Sequence, residues 1–299
     1  MGARNSSRNT PPRLVGIDLG ATNVRAGLVA DGRVVEHAAT TIVAGGSVSQ
    51  VLDQIFGIVD RLDLTDVTSF GIGVPSVVDT KKGIVYEVQN IPSWKEVPLK
   101  AIMEARYDLP VFVNNDANCF ALGEQRFGKG RGCSSVIGLI LGTGFAGGIV
   151  IDGKLYEGVN CGAGEFGMIP YLDGIYEDYC SGQFFLKRYG RSGAQMYEDA
   201  LAGDRQALAA FSEFGNHLGQ AIKTVLFAYS PEVIVLGGSI RKAFSFFEAD
   251  MRSALASFAY QSSLQQIRIE VSANDHIAIL GAAALGLDAE RASHVETWR

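Results

Sequence analysis

From Arg13 onward, short apolar runs alternate with turn residues. RLVGIDLG and VRAGLVA read as two β-rich runs, and Asp31-Gly32 joins the second to RVVEHAATTIV. An Asp-Gly pair between two such runs is the strongest short-range hairpin signal, because both residues tolerate the positive φ that the turn demands. Helical periodicity follows from Val48 to Leu62, then an apolar strand from Ser69 to Val74. VFVNN reads as a buried strand, and NDANCFALGEQRFG opens a helix with Asn and Asp at its N-terminal end.

From Ser135 the pattern restarts. VIGLILGTG is a strand and a glycine turn, and GGIVIDGKLYEG is a second hairpin around Asp152-Gly153. GLVADGRV (residues 27–34) matches GIVIDGKL (residues 148–155) position for position in residue type, and each follows a Gly/Thr turn, LGAT or LGTG. The same units in the same order predict an internal duplication, with two glycine turns facing each other across one cleft. The rest is mostly helical. A long apolar-periodic segment runs from Asp204 to Tyr229, PEVIVLGGS is a buried strand ending in glycines, and RIEVSAN is another strand. ILGAAALGL begins a final small-residue helix that can pack closely. Interleaved strands and helices make the class α/β with mixed sheets.

At 299 residues the chain exceeds the usual size of one hydrophobic core, so two domains are expected. The boundary falls near Asn114, giving an N-terminal domain over 13–114 and a C-terminal domain over 115–282, with the helix from about 283 to 299 packing back onto the first. The stretch from Met1 to Pro12 is polar, lacks an apolar segment and reads as a disordered leader, not a signal peptide. A net charge of −6 without clustered Lys and Arg speaks against nucleic acid. No apolar run approaches the ~20 residues that span a bilayer. Cys119, Cys133, Cys161 and Cys180 are widely spaced, with no C-x-x-C pair, which speaks against a disulfide framework and suits a reducing cytoplasm.

LGTGFAGG contains G-x-G-x-x-G at Gly142, Gly144 and Gly147, but the turn leads into a strand, whereas a dinucleotide fingerprint needs a helix to start there. GEQRFGKG ends in Gly130 where a P-loop needs Ser or Thr, and it follows a helix. What remains is a β-hairpin phosphate cradle. Glycines let backbone N–H groups approach an anion, and Thr22 and Thr143 add hydroxyl donors. One such hairpin alone is a tight turn; two, with a third glycine turn at Gly237-Gly238, point to a nucleotide site. Asp18, among apolar and small residues in GIDLGAT, needs a partner if buried, and a cation beside phosphates would supply one. Asn115, Asp116 and Asn118 follow the strand VFV. Asn115 or Asp116 can cap the helix, and Asp116 at a cleft edge can accept a hydroxyl proton. Glu165 in GAGEFG can meet a polyol; Glu177 in IYEDYCSG and Asn90 in VQNIPSW are weaker on their own.

GIDLGATNVR, GIGVPSVVD, QNIPSWKEVPL, NNDANCFALGE, LGTGFAGGIVIDGKLYEG, GAGEFG and PEVIVLGGSI, in this order, resemble the ROK (repressor, open reading frame, kinase) family from Arg13 onward. The resemblance implies two duplicated actin/hexokinase-like (ribonuclease H-like) domains around a nucleotide and sugar cleft. It implies a glucokinase-like or N-acetylhexosamine kinase-like enzyme using ATP and Mg2+. By this resemblance Asp18, Gly20, Thr22 and Asn23 form the first phosphate loop, with Asp18 toward magnesium through water. Gly142, Thr143 and Gly144 form the second, and Gly237 and Gly238 flank the adenosine. Asn90, Asn115, Asp116, Glu165 and Glu177 hold the sugar, with Asp116 as general base and O6 as the attacking hydroxyl. It also implies a homodimer.

Two departures stand out. Met168 occupies the place of the family's usual His, and MIPYLDGIYEDYCSG replaces a cysteine-rich zinc loop with only Cys180 left, so no zinc is expected. Ser76 replaces a usual glycine. The alternatives are an actin-like or chaperone-like ATPase without a sugar substrate, against which Glu165 and Glu177 count, and a sugar-responsive regulator. For the latter the first strand, starting at Arg13, leaves no room for a helix-turn-helix module.

Overall fold

The computed structural model describes residues 12–20 and 22–296, with side chains through Ala289. The expected leader lies outside the described residues, apart from Pro12. The chain opens with β1 (Arg13–Leu19), β2 (Asn23–Ala30) and β3 (Arg33–Thr41), then α1 (Val48–Val59) and β4 (Val67–Val74). Three short strands follow, β5 (Val77–Asp79), β6 (Ile84–Tyr86) and β7 (Glu96–Val97), then α2 (Leu99–Tyr107) and β8 (Val111–Asn115). After α3 (Asp116–Phe127) come β9 (Val136–Leu141), β10 (Phe145–Ile151) and β11 (Lys154–Leu155). A small hairpin, β12 (Pro170–Tyr171) and β13 (Gly174–Ile175), precedes α4 (Tyr176–Cys180), α5 (Gly182–Tyr189), α6 (Gly193–Leu201) and α7 (Arg205–Tyr229). The chain closes with β14 (Val233–Gly237), α8 (Phe244–Leu255), α9 (Gln261–Gln266), β15 (Arg268–Val271) and α10 (Ile277–Glu296).

The predicted duplication is present in the sheets. One has the order β3-β2-β1-β4-β8 and the other β11-β10-β9-β14-β15. In each, the first two pairings are antiparallel and the last two parallel. The hairpin turns repeat as well: Asp31 and Gly32 have φ of 51° and 69°, Asp152 and Gly153 of 52° and 70°. Positive φ at both central residues is the primed turn whose twist suits two antiparallel strands.

Helix starts follow capping chemistry. Ser47 and Gln50 form a reciprocal capping box on α1, and the Asp204 side chain accepts the Ala207 N–H at the start of α7. Each sheet has its own apolar cluster; the first contains Val15, Ile17, Phe70 and Trp94, the second Ile137, Leu139, Phe185 and Phe214. A third cluster joins them through Leu14, Phe120, Val136, Val235 and Ile279. This joint depends on missing side chains: a Cβ on Gly71 would lie 1.8 Å from the Ala282 carbonyl oxygen, and one on Gly16 1.9 Å from that of Ile279. The backbone of α10 therefore rests directly on β1 and β4. The chain passes from one sheet to the other at Asn115–Asp116, since β8 pairs with β4 while α3 packs on β9 and β10.

Candidate active site

Asn115 ends β8, and its side chain accepts the N–H groups of Ala117 at 2.9 Å and Asn118 at 3.4 Å, which caps α3. Its Nδ2 donates to the Ser76 carbonyl at 3.3 Å, tying the cap to the turn after β4. Asp116 is the first residue of α3, and its Oδ1 accepts the Ala117 N–H at 2.8 Å. The capping reading of this pair therefore holds, at Asn115. Asn115 is the cap, and Asp116 is half-buried, its Oδ2 without a hydrogen-bond partner among the described residues. Burial of its carboxyl, then the nearby Asp18 carboxylate, pushes its pKa up to about 7, against the Ala117 N–H, which lowers it; Glu165 adds a smaller push. These carboxylates therefore feel one another although they come from β1, α3 and the loop after β11.

Asp18 is buried at the end of β1. Its Oδ2 accepts Arg25 Nε at 3.1 Å and also Arg25 Nη2, from the facing position on β2. Among the described residues its Oδ1 has no hydrogen-bond partner. Arg25 Nη1 also donates to the Asp275 carbonyl at 3.3 Å, and the Asp275 carboxylate accepts Arg241 Nη2. Arg241 donates further to the carbonyls of Gly238 at 3.0 Å and Ser272 at 3.1 Å. A polar chain thus runs from Asp18 on the first sheet to Gly238 on the second. Gly238 has φ of 79°, and a Cβ there would lie 2.2 Å from the Leu141 carbonyl oxygen, so the third glycine turn abuts the second.

The first turn is closed by the Gly20 N–H on the Asn23 carbonyl at 2.9 Å, with Thr22 and Asn23 exposed. The second is closed by the Gly142 N–H on the Gly144 carbonyl at 3.0 Å, with Thr143 exposed. Glu177, on α4, accepts the Phe145 N–H at 3.0 Å and so lies against Gly144. Glu165 precedes a single 3-10 turn, Phe166–Met168, and leaves much of its surface open to solvent. Its pKa is nonetheless raised, first by partial burial of the carboxyl and then by Glu177. Asn90 stands in an exposed turn between β6 and β7, with no hydrogen bond to the other candidate residues. Met168 is 59% exposed, whereas Cys180 is fully buried in the core of the second sheet, which raises its thiol pKa.

Sequence reasoning missed Arg25, Asn114, Glu157, Arg241 and Asp275. Arg25 is seven positions after Asp18, and only the strand pairing sets the two face to face. Asn114, Glu157 and Asp275 bond across the two halves and Arg241 ties Gly238 to Ser272 and Asp275 within the second, and no spacing announces them.

Residues 14–289 match the ROK family. The chain is 29% identical to a glucokinase of Thermotoga maritima, over 91% of this chain and 96% of that protein. It is 26% identical to a xylose repressor of Caldicellulosiruptor bescii, over 91% of this chain and 77% of that protein. Among solved structures, a ROK family glucokinase from Streptomyces griseus in complex with glucose and AMPPNP shares the fold with a TM-score of 0.80 and 28% identity, covering 91% of this chain and 98% of the other. A match that runs from the first strand into the last helix, on a duplicated α/β scaffold shared end to end, means that the chain belongs to the ROK family.

Proposed function

We propose that this chain is a sugar kinase that transfers the terminal phosphate of ATP to O6 of a hexose or N-acetylhexosamine, with Asp116 as general base. The observation that carries the proposal is the place of Asp116, the first residue of α3 where the chain passes from one sheet to the other, held beside the Asn115 cap; burial and the nearby Asp18 push its pKa up to about 7. A carboxylate tuned near neutrality holds a proton better than an ordinary Asp while remaining available as a base. The turns carrying Gly20, Thr22 and Asn23 and Gly142, Thr143 and Gly144 offer threonine hydroxyls, and the backbone N–H groups not used in closing the turns, to phosphates, and Gly237-Gly238 flank the adenosine. Asn90, Asn115, Glu165 and Glu177 bind the sugar, with Glu177 bridging to the second turn. Holding acceptor and phosphate in line is most of the catalytic task in this chemistry.

Asp18 fits a magnesium ion held through water: among the described residues one carboxylate oxygen has no hydrogen-bond partner, and a cation there would relieve the repulsion felt by Asp116. When bound, the ion neutralises charge on the phosphates. The reading includes domain limits at 13–114 and 115–282 with the C-terminal helix returning to the first domain, independence of zinc, a homodimer, and a cytoplasmic location where ATP is abundant. Among the described residues no helix is long and apolar enough to cross a membrane.

The test is sugar-dependent ADP formation by Asp116→Asn, which keeps the shape but accepts no proton. The expected loss in kcat is about 10²–10⁴. Wild-type kcat/KM for the sugar should climb with pH through the pKa of Asp116, about 7 in the metal-free site and lower once a cation offsets Asp18, and the variant's residual activity should be flat over the same range. A folded variant retaining more than about a tenth of wild-type kcat would reduce Asp116 to a helix-start residue.

A further inference from the structure

The segment between β11 and the Phe166–Met168 turn belongs by sequence to the second half, yet it is anchored in the first. Cys161 is 3% exposed and lies in the apolar cluster of the first sheet; every other buried member of that cluster precedes residue 114. Glu157 Oε1 accepts Asn114 Nδ2, and its Oε2 accepts Thr80 Oγ1 at 3.1 Å. The Asn160 carbonyl accepts the Val78 N–H at 3.4 Å. The segment then returns to the second sheet, where the Gly164 carbonyl accepts the Gly147 N–H at 2.9 Å immediately before Glu165.

Asn114 receives this anchor and passes it on. It is 2% exposed, and its Oδ1 accepts the Asn115 N–H at 2.8 Å, Asn118 Nδ2 at 3.0 Å and the Cys161 thiol at 3.2 Å. One buried amide therefore holds the backbone just before Asp116, the first turn of α3, and the strap from the second half. The strap itself is under backbone strain: Asn160 and Cys161 have φ of 52° and 59° in succession. Side chains in the left-handed region cost roughly 1–3 kcal/mol each and persist only where their surroundings over-determine them. Here the buried Cys161 and the Glu157 bonds supply that constraint.

We propose that residues 156–165 form a cross-domain strap, and that Glu157, acting through Asn114, is a positioning residue that sets Asp116 relative to Glu165. The idea rests on the assignment of Asp116 and Glu165 to the sugar side. Glu157 touches no substrate. It fixes the separation of two groups that come from different halves, and among the described residues its side chain bonds only to Asn114 and Thr80, not to the nucleotide turns at Gly20 and Gly238. The strap therefore governs sugar turnover and leaves nucleotide affinity alone.

The experiment compares Glu157→Ala and Glu157→Gln with wild type, using glucose and N-acetylglucosamine as acceptors and a fluorescent ADP analogue for nucleotide affinity. The alanine variant should lose about 10–100-fold in kcat/KM for whichever sugar the wild type prefers, since a misplacement of about 1 Å can cost that much. Its nucleotide Kd should stay within about twofold, which also reports that it is folded. The glutamine variant, whose amide oxygen can still accept Asn114 Nδ2, should recover most of the loss. Thr80→Val, a gentler removal of one bond to Glu157, should give a smaller loss of the same kind.

The proposal is overturned if Glu157→Ala keeps wild-type kcat/KM, or if nucleotide affinity falls in parallel. It is equally overturned if the loss vanishes when both enzymes are assayed well below the variant's Tm, because the role is then structural. An active Asp116→Asn enzyme would remove the base assignment and this inference together. An inactive one beside a fully active Glu157→Ala would remove only the strap.

Discussion

The two halves of the molecule share strand order, strand directions and hairpin turns, yet the tips of their central strands are chemically opposite. In the first half, Asp18 faces Arg25 across β1 and β2. Aligning LGAT with LGTG and the two Asp-Gly hairpins puts Ile140 where Asp18 stands and Ala146 where Arg25 stands, and these two also face each other. One ancestral hairpin thus carries a charged pair in one copy and an apolar pair in the other. The duplicated backbone supplies two similar glycine turns, and the charge that tunes Asp116 comes from one of them alone. On the second turn the nearest carboxylate is Glu177, brought by α4 and not by the hairpin.

That asymmetry can be broken directly. Asp18→Asn removes the charge that helps raise Asp116 together with the carboxylate proposed to face magnesium, and it leaves Arg25 without its anionic partner. A loss in kcat of about 10²–10³ is expected, in the range found when one group stabilising transition-state charge is removed. Steady-state kinetics over a magnesium series would check it, and near-wild-type activity would mean the two tips are equivalent.

A second change runs the comparison backwards. Ile140→Asp puts a carboxylate on a partly buried apolar tip and should destabilise the fold by about 2–4 kcal/mol. Adding Ala146→Arg recreates the facing pair and should recover about 1–2 kcal/mol. Denaturant melts of the single and double variants give both numbers, and no recovery in the double variant would show that the pair depends on more than facing positions.

The third expectation concerns pH. In the folded state Asp116 has a pKa of about 7 against an ordinary value of 3.8, so the folded protein favours the protonated acid. Wild-type stability should therefore fall as pH rises from about 4 to about 7. Asp116→Asn lacks that loss. Its stability advantage should be absent near pH 4 and grow to roughly 2–4 kcal/mol by pH 8. Thermal melts across this range would reveal the trend, and a constant difference would mean that Asp18 and burial do not tune Asp116.

Much of this fold was legible locally. Asp-Gly hairpins, glycine turns, the cap at Asn115 and the small-residue final helix depend on neighbours within a few residues, so their chemistry shows in the chain. The carboxylates Asp18 and Glu165 were also visible, because charge among apolar or glycine residues requires an explanation; Asp116 stood out at a helix start after a buried strand, and Glu177 only through the family resemblance. Arg25 was not, because its partner is set by strand register. Glu157 and Asn114 were not, because their bonds join residues 43 positions apart and from different halves. Glu177 was read as a sugar ligand, and its bond to the Phe145 N–H on the second turn came only from the way α4 packs.

The sequence by itself determined the duplicated α/β class, the order of the turns and the identity of the acidic groups, since periodicity and turn chemistry are short-range. Only the tertiary structure decided which carboxylates share one electrostatic environment, which arginine neutralises Asp18, and how a strap from the second half locks the strand before Asp116. Those outcomes depend on distances between segments remote in sequence, where burial strengthens Coulomb interactions and unpaired polar groups are costly.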